Sequence, residues 1–259
     1  MQILKLGGSV LTSRGSYCVF IDEHLRRLAP EIKSQVGSLL LVHGMGSFGR
    51  AFLPIYDGGR IPASQASLAR RIQQNLREFH ELVVGPLVAA GVPVCSLDPE
   101  ALFAVSDGSI TFAGLDIIPH SLGQGRLPVL YGGTVWDEAG YFTILSSDQI
   151  VESVALRLGA ERVVWATDVD GVFSRAPTGT VSVIRRLSDE NLDEMWQQQS
   201  DEADCTGGMM NKVRVSLRLA RHGIPSIVAN APVPDEVVRA LGGHASSGTL
   251  IDAVAGGGA

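Results

Sequence analysis

The chain has 259 residues, 45% of them apolar, a net charge of −6 and three cysteines. That is enough to bury one large core or two small ones, and the thirty glycines fall in short clusters between apolar runs, which excludes a disordered chain. No basic run marks a nucleic-acid partner, no apolar stretch is long enough to span a bilayer, and Cys18, Cys95 and Cys205 have no metal-ligand spacing.

In chain order, Ile3 to Leu6 reads as a short buried strand closed by Gly7-Gly8-Ser9. A strand with a lysine in it is not a charged leader before a long apolar region, and the expectation is a reducing cytoplasm. Asp22 is a candidate N-cap for a helix from about Glu23 to Gln35, with Leu25, Leu28, Ala29 and Ile32 on one face. Leu39 to Val42 is the second strand, so the opening is a βαβ unit with parallel, adjacent strands. Pro54 to Pro62 reads as loop, and Ser64 to Val84 as a long helix with Leu68, Ile72, Leu76, Phe79 and Val83 at helical spacing. That stripe is core or a dimer contact. Strands follow at Val92–Leu97, Ser109–Phe112, Pro128–Tyr131 and Tyr141–Leu145, with a short helix at Ile117–Gly123. Gln149 to Leu158 is a helix, and Arg162 to Ala166 an apolar strand. A polar turn, Thr167 to Val172, leads to a loop with Pro177 and Gly179, and then to an acidic helix, Glu190 to Gln199. A glycine-bearing segment, Asp204 to Lys212, opens a helix to about His222. Ser226–Ala229 (strand), Asp235–Leu241 (helix) and Gly248–Ile251 (strand) complete the chain. The alternation predicts an α/β fold with one mainly parallel sheet covered by helices. The texture changes after Thr167, and a split near Leu158 divides the chain into two lobes, residues 1–158 and 159–259, of one continuous sheet.

Gly44, Gly46 and Gly49 literally spell G-x-G-x-x-G after a strand. A dinucleotide site also needs an acidic residue about 20 positions on. From Ser64 to Gln74 there is none, and the texture is helical. That reading is set aside. Four motifs instead stand together: Lys5-Leu6-Gly7-Gly8-Ser9, His43 to Gly49, Thr167 to Val172, and Asp204 to Met209. Each falls where a strand ends or a helix begins, and parallel strands present their carboxyl ends along one edge. Two glycine-rich anion cradles, a lysine beside one of them and a later Asp-rich turn describe phosphoryl transfer, which needs positioning and charge neutralisation.

On KLGGS, HGMGSFG, ATDVDGV, DCTGGMMNK and the terminal GTLI, the whole chain resembles the amino acid kinase family, and within it the isopentenyl phosphate kinase branch, which also includes fosfomycin kinase. The resemblance implies a three-layer αβα sandwich, a homodimer, ATP with Mg²⁺, and a small phosphorylated acceptor. It places the acceptor in the N-terminal lobe and the nucleotide in the C-terminal one. Carried over by position, Lys5 neutralises the transferring phosphate, with Gly7, Gly8 and Ser9 as donors to it. Arg14 stands where the branch often has a lysine that reaches the same group. Gly44, Met45, Gly46, Ser47 and Gly49 cradle the acceptor's phosphate, and Asp148 orients Lys5. Thr167, Asp168, Asp170 and Gly171 line the adenosine side; Gly207, Gly208 and Lys212 serve the nucleotide phosphates. No residue is assigned as a metal ligand.

Two positions depart from the branch. Arg50 stands where it has a histidine on the acceptor's phosphate, and Gly132-Gly133 where it reads Gly-Asp. Arginine binds phosphate bidentately and stays charged. The departures leave open another organic phosphate, a phosphonate or a carboxylate as acceptor, or a non-catalytic nucleotide sensor. His43 reads equally as structural or functional. His80, His120, His222 and His244 read as ordinary surface or helix residues, and Asp148 also as a helix N-cap.

Overall fold

Alternation along the first strand sets the layer plan. In β1 (Gln2–Leu6), Leu4 and Leu6 enter one apolar cluster and Ile3 the other, on the opposite side of the sheet. The same split recurs at Leu39 and Leu41 against Leu40 and Val42 in β2 (Leu39–His43). Both faces are therefore covered, as continuous apolar strands require. The computed structural model describes residues 1–13, 16–50, 60–176, 178–195, 208–244 and 247–253.

Short helices α1 (Gly8–Leu11) and α3 (Gly46–Arg50) follow β1 and β2, with α2 (Glu23–Ser34) between them. After β3 (Arg60–Pro62) comes the long α4 (Ala66–Ala89). Then come β4 (Val94–Ser96), α5 (Pro99–Leu102), β5 (Phe103–Ser106), β6 (Ser109–Ala113) and α6 (Ile117–Gly123). Strands β7 (Leu127–Tyr131), β8 (Gly133–Asp137) and β9 (Tyr141–Leu145) lead to α7 (Ser147–Leu158) and β10 (Arg162–Thr167). The remainder is β11 (Phe173–Arg175), β12 (Val181–Val183), β13 (Arg186–Leu187), α8 (Gly208–Ala220), β14 (Ser226–Asn230), α9 (Glu236–Leu241) and β15 (Thr249–Ile251).

The central sheet has eight strands in the order β13-β15-β14-β10-β1-β2-β7-β4. From β4 to β14 all neighbours are parallel; β15 runs against β14. Helices α2, α4 and α9 pack on one face, and α6, α7 and α8 on the other, giving three layers. No helix of the described residues is long and apolar enough to cross a membrane.

The structure corrects the sequence reading in several places. A second sheet, β3-β9-β8-β5-β6, stands beside the first and is antiparallel except between β5 and β8. Strand β3 falls in a stretch read as loop, β11 and β12 around the loop with Pro177 and Gly179, and β5, β8 and β13 in stretches given no element. Asp22 does not cap α2 with its side chain; its carboxylate accepts from Arg26 at 2.5 Å instead. Helix α4 runs on past Pro86, because Leu87 is fully buried against the core. In place of an acidic helix from Glu190, the described residues hold one 3-10 turn, Leu192–Glu194. There the Asn191 side chain takes the Ser188 N–H at 2.9 Å and donates to Arg186 O at 3.1 Å, competing with helical bonds.

Candidate active site

Four adjacent parallel strands end level with one another. Leu6 of β1 lies beside His43 of β2 and Ala166 of β10, and His43 lies beside Tyr131 of β7. Each strand then breaks into one of the motifs: Gly7-Gly8, Gly44 to Gly46, Gly132-Gly133, and Thr167 to Gly171. This carboxyl edge is where open α/β sheets bind ligands.

The first two turns press on each other. Gly7 N donates to Ala166 O at 2.8 Å, and Gly44 N to Leu6 O at 3.0 Å. A Cβ on Gly8 would lie 2.5 Å from Gly46 Cα, and one on Gly44 would lie 3.1 Å from Gly8 N. Gly46 takes a left-handed φ of +52°, and its missing side chain leaves room for Thr12. The Thr12 hydroxyl donates to Gly8 O at 2.8 Å and accepts from Ser47 N at 3.0 Å. Among the described residues, the N–H groups of Met45 and Gly46 have no hydrogen-bond partner. Unpaired, converging N–H groups make an anion cradle. Half-buried Ser9 lies in α1, beside Gly7. Gly49 packs on Met45, and Gly132 on Met45 and the Ser147 N–H.

Behind the cradle runs a row of charges. Lys5 shares its strand face with Ile3, so it meets the layer of α7 and α8. It is 4% exposed, and its Nζ is 3.3 Å from Asp148 Oδ1. Asp148 Oδ2 accepts from Lys212 Nζ at 3.3 Å and from Asn211 Nδ2 at 3.2 Å. Lys212 also donates to Gly208 O at 3.3 Å. Burial would raise the Asp148 carboxyl, but the attraction of Lys5 and then Lys212, with bonds from Asn211 and Lys212, holds it below the usual carboxylate range. One carboxylate between two ammonium groups leaves a positive balance facing the edge. Asp148 is not the helix cap. Ser146 is, in a capping box: its Oγ accepts from Gln149 N at 3.2 Å while Gln149 Oε1 accepts from Ser146 N at 3.0 Å. Asp148, two residues on, is thereby released to face Lys5.

On the other face, His43 shares its side of β2 with Leu39 and Leu41 and meets α4. Its Nδ1 lies 3.1 Å from Gly44 O and its Nε2 lies 2.9 Å from His80 Nδ1. The Tyr131 ring stacks on both imidazoles, at 5.6 and 4.5 Å between centroids. Burial, and then repulsion from His80, pushes His43 down to about 3; burial, partly opposed by the attraction of Asp98, pushes His80 down to about 4. His80 is therefore no ordinary surface residue. It is 4% exposed and follows Leu76 at i+4 on the buried stripe, a spacing that could have revealed it.

At Gly133 the space a side chain would need is already taken. A Cβ there would lie 2.8 Å from Pro99 Cγ and 3.0 Å from Gln73 Oε1. Gln73 fills that space and accepts from Thr134 N at 3.0 Å and Thr134 Oγ1 at 2.8 Å. The Asp-rich turn is braced from its neighbours. Thr167 Oγ1 donates to Val169 O at 3.1 Å, half-buried Asp168 follows, and Asp170 Oδ1 accepts from Asn230 Nδ2 at 2.6 Å. Gly171, at φ +151°, admits Thr249, whose hydroxyl accepts from Val172 N at 2.8 Å. Thr12, Gln73 and Asn230 carry no motif of their own, so the sequence does not single them out; Asn211 and Thr249 fall within the DCTGGMMNK and GTLI segments but without an assigned role. Arg14, Gly207 and the side chain of Arg50 lie outside the described residues.

The pattern of the amino acid kinase family matches residues 1–230. The isopentenyl phosphate kinase of Methanothermobacter thermautotrophicus is 39% identical, over 97% of this chain and 98% of its own length. That of Methanocaldococcus jannaschii is 30% identical over 97% and 98%. An X-ray structure of isopentenyl phosphate kinase superposes with a TM-score of 0.81 at 34% identity, covering 97% of this chain and 99% of that one.

Proposed function

The chain belongs to the amino acid kinase family, and from that premise we propose that it transfers the γ-phosphoryl group of ATP to a phosphate already present on a small acceptor, isopentenyl phosphate before any other. One observation carries the reading: two glycine turns pressed together at the level ends of β1 and β2, with the Lys5–Asp148–Lys212 row behind them. The reaction is an in-line displacement that asks for positioning and for neutralised charge, with no covalent enzyme intermediate.

The roles divide by lobe. Residues 1–158 take the acceptor, whose phosphate lies against the N–H groups of residues 44–49, with Arg50 as a charged clamp. Residues 159–259 take the nucleotide, through Thr167 to Gly171, Gly207, Gly208 and Lys212. Lys5, with Gly7, Gly8 and Ser9, meets the transferring group between them, and Arg14 is assigned to the same group. Asp148 is committed to Lys5, Asn211 and Lys212, which suits an orienter of two lysines rather than a metal ligand. No residue is assigned to hold Mg²⁺; bound with the nucleotide, it would help neutralise the β- and γ-phosphates beside Lys5 and Lys212. We read the protein as a cytoplasmic homodimer, with exposed Leu82 and Val88 on α4 as apolar surface available to a second copy.

A coupled ADP-release assay tests the reading over prenyl phosphates, phosphonates and short carboxylates, with wild type beside Arg50→His. The expected result is turnover of isopentenyl phosphate above the rest of the panel. A strong gain on isopentenyl phosphate in the variant favours a second reading, motivated by Arg50 and Gly133, in which another phosphorylated acceptor is native. ATP binding with no transfer to any acceptor leaves only a nucleotide sensor.

A further inference from the structure

The peptide between Gly44 and Met45 sits in the cradle, with a glycine on its N-terminal side. Glycine gives a peptide little resistance to rotation, so something has to fix its direction. No cis peptide bond occurs among the described residues, and in a trans peptide the C=O and N–H point opposite ways. Whatever holds the Gly44 carbonyl therefore aims the Met45 N–H. His43 holds it, with Nδ1 at 3.1 Å.

A carbonyl only accepts, so His43 Nδ1 carries the proton. A neutral imidazole has one, which leaves Nε2 as an acceptor, and its neighbour at 2.9 Å, His80 Nδ1, must be the donor. His80 Nε2 is then a bare lone pair. That atom is buried and meets no donor or acceptor among the described residues, so nothing there opposes this assignment. The reverse assignment would turn the lone pair of His43 Nδ1 against the carbonyl oxygen. Both rings are held in place by the stacked Tyr131, and His43 also by the edge-on Phe79.

We propose that His80 is a positioning residue for the acceptor's cradle: acting through His43, it fixes the tautomer that grips the Gly44 carbonyl and so aims the Met45 N–H at the acceptor's phosphate. The proposal rests on the reading of residues 44–49 as that phosphate's cradle. It assigns to the α4 face of the sheet a part in acceptor binding that no charged group supplies.

Long-range ¹⁵N NMR of the labelled full-length wild type reads the tautomers directly. Protonated Nδ1 and bare Nε2 are expected in both rings, unchanged between about pH 5.5 and 8.5. A proton on His43 Nε2, or either ring titrating in that range, overturns the proposal. Steady-state kinetics then separate aiming from mere packing. His80→Leu removes the donor, and the KM for isopentenyl phosphate should rise on the order of tenfold while the KM for ATP changes less than about twofold. His80→Gln, which restores an N–H donor, should recover most of the loss. Equal changes in both KM values, or none, overturn the proposal. If the Leu variant does not fold, the wild-type spectrum and the Gln variant decide. A wild type that uses no phosphorylated acceptor brings down the cradle reading and the aim given to Met45 with it, while the tautomer result stands by itself.

Discussion

At one edge of the sheet, its two faces deal with buried polar groups in opposite ways. On the α7–α8 side, Lys5, Asp148 and Lys212 form ion pairs. On the α4 side, His43 and His80 stay neutral. Depth does not separate them, since Lys5, Asp148, His43 and His80 are 4%, 3%, 1% and 4% exposed. Partners do. The Asp148 carboxylate meets two ammonium groups and an amide, and these outweigh its desolvation. An imidazolium at His43 would meet only a second imidazole, a carbonyl and the repulsion of nearby Lys5. Only the charged face can neutralise a phosphoryl group. The neutral face can hold geometry, and it does so without adding charge that would compete for the phosphate.

Removing the charged face should have the largest effect. Lys5→Met fills the same slot with an apolar chain and leaves Asp148 its contacts with Lys212 and Asn211. Turnover in the ADP-release assay should fall by roughly 10²–10³-fold with the circular dichroism spectrum unchanged; near-normal turnover would sink the role given to Lys5. Asp148→Asn comes next. It keeps the shape but leaves two ammonium groups facing each other without their anion. Urea unfolding at neutral pH should show a loss of about 3 kcal/mol, with turnover down by an order of magnitude or more. Because the folded Asp148 carboxyl lies below its ordinary value of 3.8, its contribution is complete above that value and is lost as pH falls through the lowered one. The variant should lack that acid-side loss.

The contact between the two glycine turns is shared by both faces, and breaking it should cost less than losing the anion. Gly8→Ala puts a methyl group 2.5 Å from a backbone carbon of Gly46, which has no rotamer to move. The turns must part, and a loss of about 2 kcal/mol is expected in urea unfolding, with kcat/KM reduced for both substrates. Thr12→Val keeps the volume but removes the hydroxyl between Gly8 O and Ser47 N. About 1 kcal/mol is expected there. A Gly8→Ala protein as stable and active as wild type would show that the turns can separate freely.

How much of this was legible in the sequence follows from what each face uses. The charged face announces itself, because Lys5, the glycines after it and Lys212 lie in motifs with fixed spacing. The parallel pairing of β1 with β2 was legible too, since β1, α2 and β2 form a right-spaced crossover unit; the order of the other strands was not. The second sheet was not. Its strands β3, β5 and β8 are three to five residues long, and β8 opens on a glycine that reads as the end of the strand before it. The capping box was readable at Ser146 and Gln149, and it explains why Asp148 need not cap. The neutral face was the hardest. His80 is one residue among apolar ones on α4, and its meaning depends on meeting His43 from a different element, 37 positions away. Gln73, which occupies the space a side chain at position 133 would need, is invisible for the same reason.

The smallest effect separates the two faces by pH. In the unfolded chain both imidazoles take up protons as pH falls through 6.5, whereas in the folded protein His43 waits until about 3 and His80 until about 4. The unfolded state therefore binds more protons across that window. Stability is whole above 6.5 and declines as pH falls below it, by up to about 1.4 kcal/mol per pH unit for each imidazole. His80→Gln removes one of the two groups, so the slope of unfolding free energy against pH between about 6 and 4.5 should become shallower by up to that amount. Asp148→Asn should leave the same window unchanged, because its carboxyl titrates below it. Urea midpoints for the three proteins at a series of pH values give both slopes in one experiment. If His80→Gln leaves the slope untouched, His80 takes up its proton in the folded protein as readily as in the unfolded chain. The contrast between a charged and a neutral face at this edge would then be lost.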